Sequence, residues 1–339
     1  MKLESLTGTS LAAMGPRFNL VNMVPAVVLL LVIMALVWSG APGKRPDVDR
    51  IVQSIRTLEL SEGVFLTLAL MSLSLVIHPL QLSMVRLLEG YWGSSRLGSL
   101  LFRFGVKFHG QRRDNLEKAQ SQEGPDDPSA SIAAQISRAA LELRRSYPDQ
   151  DLLPTALGNV LRAAEDLPGT RYGLDATVIW PRLYPLLPKE LTAILADQRN
   201  QLDLAVRFCF VFLLAVPISA FFLWRYDWWL LIPAACAAMA WVSYRSAISA
   251  ALGYGDGINT AFDLYRFKLY EVLHLPLPDD RDTEKEANLQ LAKFWLQGVP
   301  ANFQYVHHKG KKGGKQEINS HAVHEPLSKP LRKTGRGVQ

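Results

Sequence analysis

Four long apolar stretches, grouped in two pairs, constrain this chain more than any other feature. They are Leu20–Trp38, Gly63–Val85, Leu204–Trp224 and Trp228–Tyr244. A helix needs about 20 apolar residues to cross a hydrocarbon layer about 30 Å thick. Because the bilayer interior offers no water to backbone groups, such runs form helices. The sequence therefore predicts an all-α membrane protein with four transmembrane helices in two pairs and mostly helical cytoplasmic segments.

The polar stretches between and after these runs divide the chain into six parts. We expect an N-terminal cytoplasmic tail, a first transmembrane pair with an external loop (39–62), a central cytoplasmic region, a second transmembrane hairpin, a cytoplasmic helical region and a disordered basic tail. Their respective bounds are 1–19, 20–85, 86–203, 204–244, 245–297 and 298–339.

The distribution of lysine and arginine predicts the orientation, since cytoplasmic loops carry an excess of both. Segment 86–203 carries fifteen and the region after Tyr244 carries fourteen, whereas the Trp224–Trp228 connection has only Arg225. We therefore expect a bacterial inner (plasma) membrane protein with both termini in the cytoplasm. The first loop is the discordant feature, because it contains Lys44, Arg45, Arg50 and Arg56.

The net charge of +6 has a single source, the segment from Lys309 to the C-terminus. This segment has too little apolar content to fold, so we expect a disordered tail that is attracted to anionic lipid headgroups. The rest of the chain is neutral, which argues against nucleic acid as a partner. No metal site is predicted, because the tail histidines (His307, His308, His321 and His324) have no fixed geometry. No cofactor is predicted, and the two cysteines, Cys209 and Cys236, lie in apolar runs without a CxxC motif.

Several polar segments show helical spacing of apolar residues. We expect a surface helix from Val48 to Leu58, broken before the second span at Ser61-Glu62-Gly63, and a helix over 132–143 closed by Tyr147-Pro148. Thr155 is the expected cap of the next helix, and further helices are expected at Lys189–Asn200 and Asp279–Gln297. The stripe from Ala247 to Leu269 continues the fourth span, with Gly253, Gly255 and Gly257 at a close helix crossing or a hinge.

The stretch from Arg86 to Arg113 alternates basic and aromatic residues directly after the second span. This composition is typical of segments that lie on an anionic leaflet. The same alternation can stack single-stranded nucleic acid. Proximity to the bilayer favours lipid as the partner.

The densest group of chemically capable side chains lies between the second and third spans. Its members are Arg162, Glu165, Asp166, Arg171, Tyr172, Asp175, Trp180 and Arg182. We expect one structural cluster at the cytoplasmic mouth of the helices, with Asp175 as the counter-charge of the arginines and Glu165 or Asp166 as substitutes. A ligand-binding or catalytic role is the alternative. No catalytic residue is assigned, because this segment has no Cys, His or Ser.

Ionisable or polar groups inside a span are functional candidates, because their burial in lipid is costly. His78 and Gln81 in the second span are such candidates. Arg207 lies four residues into the third span, and we expect it to reach the cytoplasmic interface. A proton pathway would need acidic partners, and the spans have no Asp or Glu except at their ends.

Three segments resemble bacterial multi-pass membrane proteins without an assigned function. They are Leu157–Ala163, Arg171–Arg182 and Ala261–Phe267. The resemblance implies a membrane location and brings no site with it. The leading hypothesis is an integral membrane protein whose cytoplasmic helical region acts in binding, scaffolding or sensing, with protein partners or a homo-oligomer. The alternatives are a channel or transporter subunit and a membrane-bound enzyme.

Overall fold

The computed structural model describes residues 16–77, 79–93, 95–121, 130–149 and 151–307. In these ranges every long element is an α-helix, as the apolar runs and helical spacing predict. The chain divides after Tyr305, and the helices of the described ranges lie before that point. The eleven α-helices of the described ranges are α1 (Pro16–Trp38), α2 (Val48–Arg56), α3 (Leu60–Ile77), α4 (Gln81–Glu89), α5 (Arg96–Gln120), α6 (Ala130–Ser146), α7 (Ala156–Asp166), α8 (Ala176–Leu183), α9 (Lys189–Leu223), α10 (Leu231–Val272) and α11 (Arg281–Gln297).

Two long helices, α9 and α10, form the central pair of the structure. They have 35 and 42 residues, which corresponds to lengths of about 52 and 63 Å at about 1.5 Å per residue. Gly257 lies against Leu195 near the start of α9, and Leu223 at its end packs near Ile232. The helices are therefore antiparallel. The predicted continuation of the third span backward and of the fourth span forward into polar segments is confirmed.

By length and composition, two helices in the described ranges can each cross a membrane: Lys189–Leu223 and Asp227–Val272. Counting the bent pair α2 and α3 as one span gives three. The apolar part of α1, Met23–Trp38, is shorter. A membrane class is therefore supported by two helices, whereas the four-span arrangement stays a prediction.

The second predicted span, Gly63–Val85, is divided between two helices. Helix α3 ends at Ile77 and α4 begins at Gln81. Pro79 explains the break, because proline lacks an N–H group and disfavours helical geometry in the residue before it. The last residues of the predicted span therefore belong to a separate helix. Its Met84 and Val85 are buried in the protein.

The first loop contains the predicted surface helix, α2. Asp47 caps it by accepting a hydrogen bond from the backbone N–H of Asp49 at 3.0 Å. The helix ends at Arg56, and α3 begins at Leu60 after a bend of 106°. The predicted break at Ser61-Glu62-Gly63 was wrong, since these residues form the first turn of α3. Gly63 in a helix costs about 1 kcal/mol relative to Ala, too little to end it.

A buried cluster joins α4 and α7 to the long helices near the end of the fourth apolar run. Val85 of α4, Leu157 of α7 and Val206 of α9 belong to this cluster. The backbone N–H of Leu157 donates a hydrogen bond to the hydroxyl of Tyr244 at 3.3 Å. Tyr244 is the last residue of the fourth predicted span, so α7 begins at the depth where the apolar part of α10 ends.

A second core lies further along α10, where α8 and α11 pack against it. Trp180 of α8 stacks near Phe262 of α10, with 6.1 Å between ring centroids. Leu195 of α9 belongs to the same buried cluster. The predicted helix over 132–143, the helix expected after the cap Thr155 and the helix at Asp279–Gln297 are confirmed as α6, α7 and α11. Thr155 caps α7 by accepting a hydrogen bond from the N–H of Gly158 at 3.0 Å.

The glycines of α10 support close packing and not a hinge. A Cβ on Gly255 would lie 3.0 Å from the Cβ of Ala164 on α7, and one on Gly257 would lie 2.7 Å from Leu195 of α9. Helix α10 continues through all three glycines without interruption. Of the two predicted alternatives, the close helix crossing is therefore confirmed.

Helix α5 packs through Gly105 against the segment that precedes α7. A Cβ on Gly105 would lie 2.3 Å from the carbonyl oxygen of Pro154. Further along, Nδ1 of His109 lies 3.4 Å from the hydroxyl of Tyr147. Burial and the nearby Arg112 lower the pKa of His109. The imidazole is therefore neutral where α5 packs on α6.

We predict that Gly105→Ala lowers the melting temperature, whereas Gly110→Ala in the same helix does not. The new Cβ at position 105 would meet backbone atoms of Pro154, and such overpacking costs about 1–3 kcal/mol. At Gly110 the nearest atom is Leu152 Cδ1 at 3.8 Å, so the gain of about 1 kcal/mol in helix propensity remains. Thermal melts of the purified protein compare the two. Equal melting temperatures would contradict the close contact.

Candidate functional site

Four of the eight candidate residues line one cavity. Arg162, Glu165 and Asp166 come from α7, and Asp175 precedes α8. A cavity of about 660 Å³ lies between these residues and α11. Half of the predicted candidates thus line one concave site, although the sequence did not predict a cavity there.

The cavity is acidic on one side and apolar on the other. Its carboxylates are those of Asp149, Glu165, Asp166 and Asp175. Arg162 is the guanidinium among its lining residues, and its Nε lies 3.0 Å from Oδ2 of Asp166. Leu174, Ala176, Leu289, Ala292 and Leu296 supply the apolar wall. This arrangement suits a cationic group with an apolar stem.

Among the carboxylates that line the cavity, Asp166 has a raised pKa. Burial raises its pKa, Arg162 opposes that shift, and the charges of Asp149 and Asp175 add to it. A negative potential from several carboxylates is the cause of the last effect. A bound cation would reverse this part of the shift by stabilising the ionised form.

Asp175 has a local structural role as the cap of α8. Its Oδ1 accepts hydrogen bonds from the backbone N–H groups of Thr177 at 2.9 Å and Val178 at 3.3 Å. The hydroxyl of Thr177 donates to the same oxygen at 2.5 Å. The predicted role as counter-charge of the arginines is therefore replaced by helix capping, which satisfies N–H groups that have no partner inside the helix.

The other candidates lie on different surfaces. Trp180 is buried in the core. Arg182 is exposed, donates to the carbonyl of Val178 at 2.6 Å and lies over the ring of Trp295 at 4.4 Å. Arg171 is also exposed and lines a separate cavity with Arg113 and Arg144. The expected single cluster of Arg171, Asp175, Trp180 and Arg182 is therefore spread over several surfaces of this region.

Tyr172 belongs to a polar network that sequence reasoning missed. Its hydroxyl donates to Oδ1 of Asp263 at 2.8 Å, and the guanidinium of Arg266 lies 3.8 Å from its ring centroid. Burial and the hydrogen bond to Asp263 raise the pKa of Tyr172. The tyrosine is therefore neutral, and its side chain links the short turn Thr170–Tyr172 to α10.

Helix α11 completes this network with two buried polar residues. Glu284 accepts a hydrogen bond from Nε of Arg266 at 2.6 Å. Asn288 donates to the carbonyl of Tyr172 at 2.7 Å and accepts from the hydroxyl of Tyr270 at 2.5 Å. Glu284, Asn288 and Leu291 share one helix face by their spacing. That spacing was the available signal that the two polar residues face the core.

The intramembrane candidates have separate outcomes. His78 lies outside the described residues. Gln81 begins α4, and its Oε1 accepts a hydrogen bond from Nε of Arg207 on α9. Arg207 is buried in the protein, and its expected position at the cytoplasmic interface stays a prediction. The pair joins α4 to α9 and gives the buried guanidinium a hydrogen-bond acceptor.

The described residues contain no group of three or more His, Cys, Asp or Glu side chains that could hold a metal. Cys209 and Cys236 are free thiols, and both are buried. Among the residues that line the acidic cavity there is no Cys, His or Ser. Of the tail histidines, His307 is described, and residues 308–339 lie outside the described ranges.

We predict that Asn288→Ala destabilises the protein, whereas Gln290→Ala does not. Asn288 is 0% exposed, and its loss leaves the Tyr270 hydroxyl and the Tyr172 carbonyl without their partner. A buried polar group without a partner costs about 1–3 kcal/mol. Gln290 is exposed on the same helix. Thermal melts of both variants test the difference, and similar melting temperatures would refute a stabilising role for the network.

Comparison with known proteins adds no family to this description. No family model, no curated protein and no solved structure matches the chain.

Proposed function

We propose that this chain is a four-span bacterial inner-membrane protein whose helical cytoplasmic domain is a platform for binding a partner. The observation that carries the proposal is the continuity of α9 and α10. Each helix passes without a break from an apolar part into the packed core of the helical domain. A movement or load on the domain would therefore act directly on the two helices.

The two parts of α10 have different surroundings, and this difference supports a bilayer around one of them. Trp241, in the apolar part, is 65% exposed, whereas Phe262, in the domain, is 0% exposed. Trp228 and Leu231 are also exposed. A row of large apolar side chains without protein cover marks an interaction surface. On a helix of spanning length, lipid is the natural cover.

The first pair of proposed spans consists of α1 and α3. Ala26 and Leu29 of α1 are buried in clusters that include residues of α9. Helix α3 has 18 residues, which reach about 27 Å and so nearly match a hydrocarbon core about 30 Å thick. Leu73 of α3 packs against the same two clusters. These contacts support placing α1 and α3 beside the α9–α10 pair.

The proposed orientation puts both termini and segment 86–203 in the cytoplasm. The lysine and arginine distribution supports it. The external end of the α9–α10 hairpin would then be the turn that contains Trp224, Arg225 and Trp228. Aromatic side chains of this kind are enriched at membrane interfaces. The hydroxyl of Tyr226 in this turn donates to the carbonyl of Pro42 at 3.1 Å, which places the first loop at the same end.

The acidic cavity is the proposed binding site of the platform. Its carboxylates and its apolar wall favour a lysine or arginine side chain of a partner protein, because both have an apolar stem and a charged end. A channel subunit gains no specific support, since α9 and α10 pack through Val211, Ala215 and Cys236. An enzyme gains no specific support either, since no Cys, His or Ser lines the cavity.

We predict that a cysteine at Asp227 reacts with an impermeant thiol reagent added outside intact cells. Cysteines at Gly124 and Gly310 should react only after permeabilisation, because both positions are proposed to be cytoplasmic. Cys209 and Cys236 are first replaced by alanine to remove background. Labelling of Gly124→Cys in intact cells would refute the orientation.

We predict that a photo-crosslinking residue at Leu296 captures a protein partner in native membranes. Leu296 lines the cavity and is 59% exposed. The double change Glu165→Gln and Asp166→Asn should reduce the adduct about tenfold or more, since a desolvated charge pair contributes about 1.5 kcal/mol or more. Glu286→Gln, on an exposed face of α11, is the matched control. An adduct that survives the double change equally well would contradict binding through the acidic cavity.

A further inference from the structure

Helix α5 has three distinct faces along its first half. Gly98, Gly105 and His109 recur at steps of seven and four residues and face the protein. A stripe of apolar side chains lies about one residue step, or about 100°, around the helix from this face. A row of basic residues follows on the other side of the stripe. The α5 stripe consists of Leu97, Leu101, Phe104 and Phe108, and the basic row consists of Arg96, Arg103 and Lys107.

The α5 stripe has no cover among the described residues. Leu97 is 75% exposed and Phe104 is 71% exposed, while Leu101 and Phe108 are each at least half exposed. The glycine face, and not the stripe, holds the helix on the domain, because Gly105 touches Pro154. The side chains that would stabilise an ordinary core therefore point away from the protein.

Contacts place the first half of α5 at the depth where the apolar surface of α10 ends. Gly105 lies against Pro154, and Pro154 also lies against Gly90 at the end of α4. Three residues after Pro154, the N–H of Leu157 donates to the hydroxyl of Tyr244. Tyr244 ends the apolar part of α10. The α5 stripe is therefore continuous in depth with the proposed lipid-facing surface.

The stripe stops where α5 moves away from this depth. Gln111 and Asn115 take the positions on the same face that Phe104 and Phe108 hold in the preceding turns. The adjoining part of α5 is tied to α6 through the pair of Arg112 and Glu142 at 2.6 Å. Helix α6 in turn pairs through Arg145 with Asp256, which lies twelve residues, or about 18 Å, beyond Tyr244 along α10.

We propose that the first half of α5 lies in the cytoplasmic leaflet, with its stripe against the acyl chains and its basic row among anionic headgroups. An apolar face bordered by lysine and arginine is the composition of amphipathic helices that bind an anionic membrane interface. Each basic residue near an anionic leaflet contributes about fivefold to membrane attachment. This inference rests on the proposed function, since it needs the apolar parts of α9 and α10 to cross a bilayer.

The consequence is a second lipid contact, separate from the spanning helices, that depends on headgroup charge. The whole stretch Arg86–Arg113 was expected to lie on the leaflet. The proposal limits this lipid contact to α5, because Leu88 of α4 is buried in protein. It also gives the platform a means to respond to lipid composition. Helix α5 contacts the domain through Pro154, directly before the cap of α7, and α7 supplies three residues of the acidic cavity.

Spin-label accessibility in nanodiscs tests the proposal with the full chain. Single cysteines are placed at Phe104 in the stripe, at Asn115 on the same face beyond it, and at Trp241 on α10, in a Cys209→Ala and Cys236→Ala background. We expect the label at position 104 to collide more with oxygen and less with an aqueous nickel reagent than the label at 115. Position 241 should show the strongest preference for oxygen. In phosphatidylcholine discs, adding phosphatidylglycerol should deepen the label at 104, and Arg103→Glu with Lys107→Glu should abolish that response.

The three positions separate the ways in which the proposal can fail. If position 241 is in lipid while 104 behaves like 115, the α5 proposal is overturned and the spanning helices stand. If position 241 is itself in water, both the proposed function and the α5 proposal are wrong. A label at 104 that neither reagent reaches would mean that protein covers the stripe, which also overturns the proposal. If the depth of the label at position 104 does not change when phosphatidylglycerol is added, the role of the basic row is overturned.

Discussion

The antiparallel contact between α9 and α10 is the interaction on which the rest of the structure depends. Small residues allow it, since Ala247 and Ala251 are fully buried between the helices, and Gly257 meets Leu195 directly. Each glycine in a helix costs about 1 kcal/mol relative to alanine. Packing must offset this cost, because α10 stays helical through all of them. Helices α4, α6, α7 and α8 contact this pair directly, and α5 is attached through α6.

Three sets of contacts fasten the neighbouring helices to the α9–α10 pair. At the depth where the apolar surfaces end, Gln81 bonds to Arg207 and α7 bonds to Tyr244. Further along, the network of Tyr172, Asn288 and their partners fastens α11 to α10. The acidic cavity lies between α7 and α11, so both of its walls are fixed to the same long helices. Packed contacts therefore join the walls of the cavity to the hairpin, without an intervening flexible linker in α9 or α10.

The sequence predicted the features that depend on residues close together in the chain. Helical spacing and the cap at Thr155 predicted α7, and the continuation of α9 and α10 followed from uninterrupted apolar stripes. Pro79 separates α3 from α4, whereas the apolar run Gly63–Val85 predicted one continuous span. The partners of a polar side chain were not predictable. Tyr172 and Asn288 are more than a hundred residues apart, and no local pattern determines which distant carbonyl a buried amide will meet. For the same reason Asp175 was assigned to the arginines when its partners were the N–H groups beside it.

Amide hydrogen exchange along α10 in a bilayer tests the central claim most directly. If α10 is one helix from the membrane into the domain, the amides from Leu231 to Val272 should be protected without a gap, including those from Gly253 to Gly257. The domain core and the apolar part should then open together or not at all. Rapid exchange confined to Gly253–Gly257 would show a hinge at the glycines. That result would contradict the account of a continuous helix pair joining the membrane to the domain.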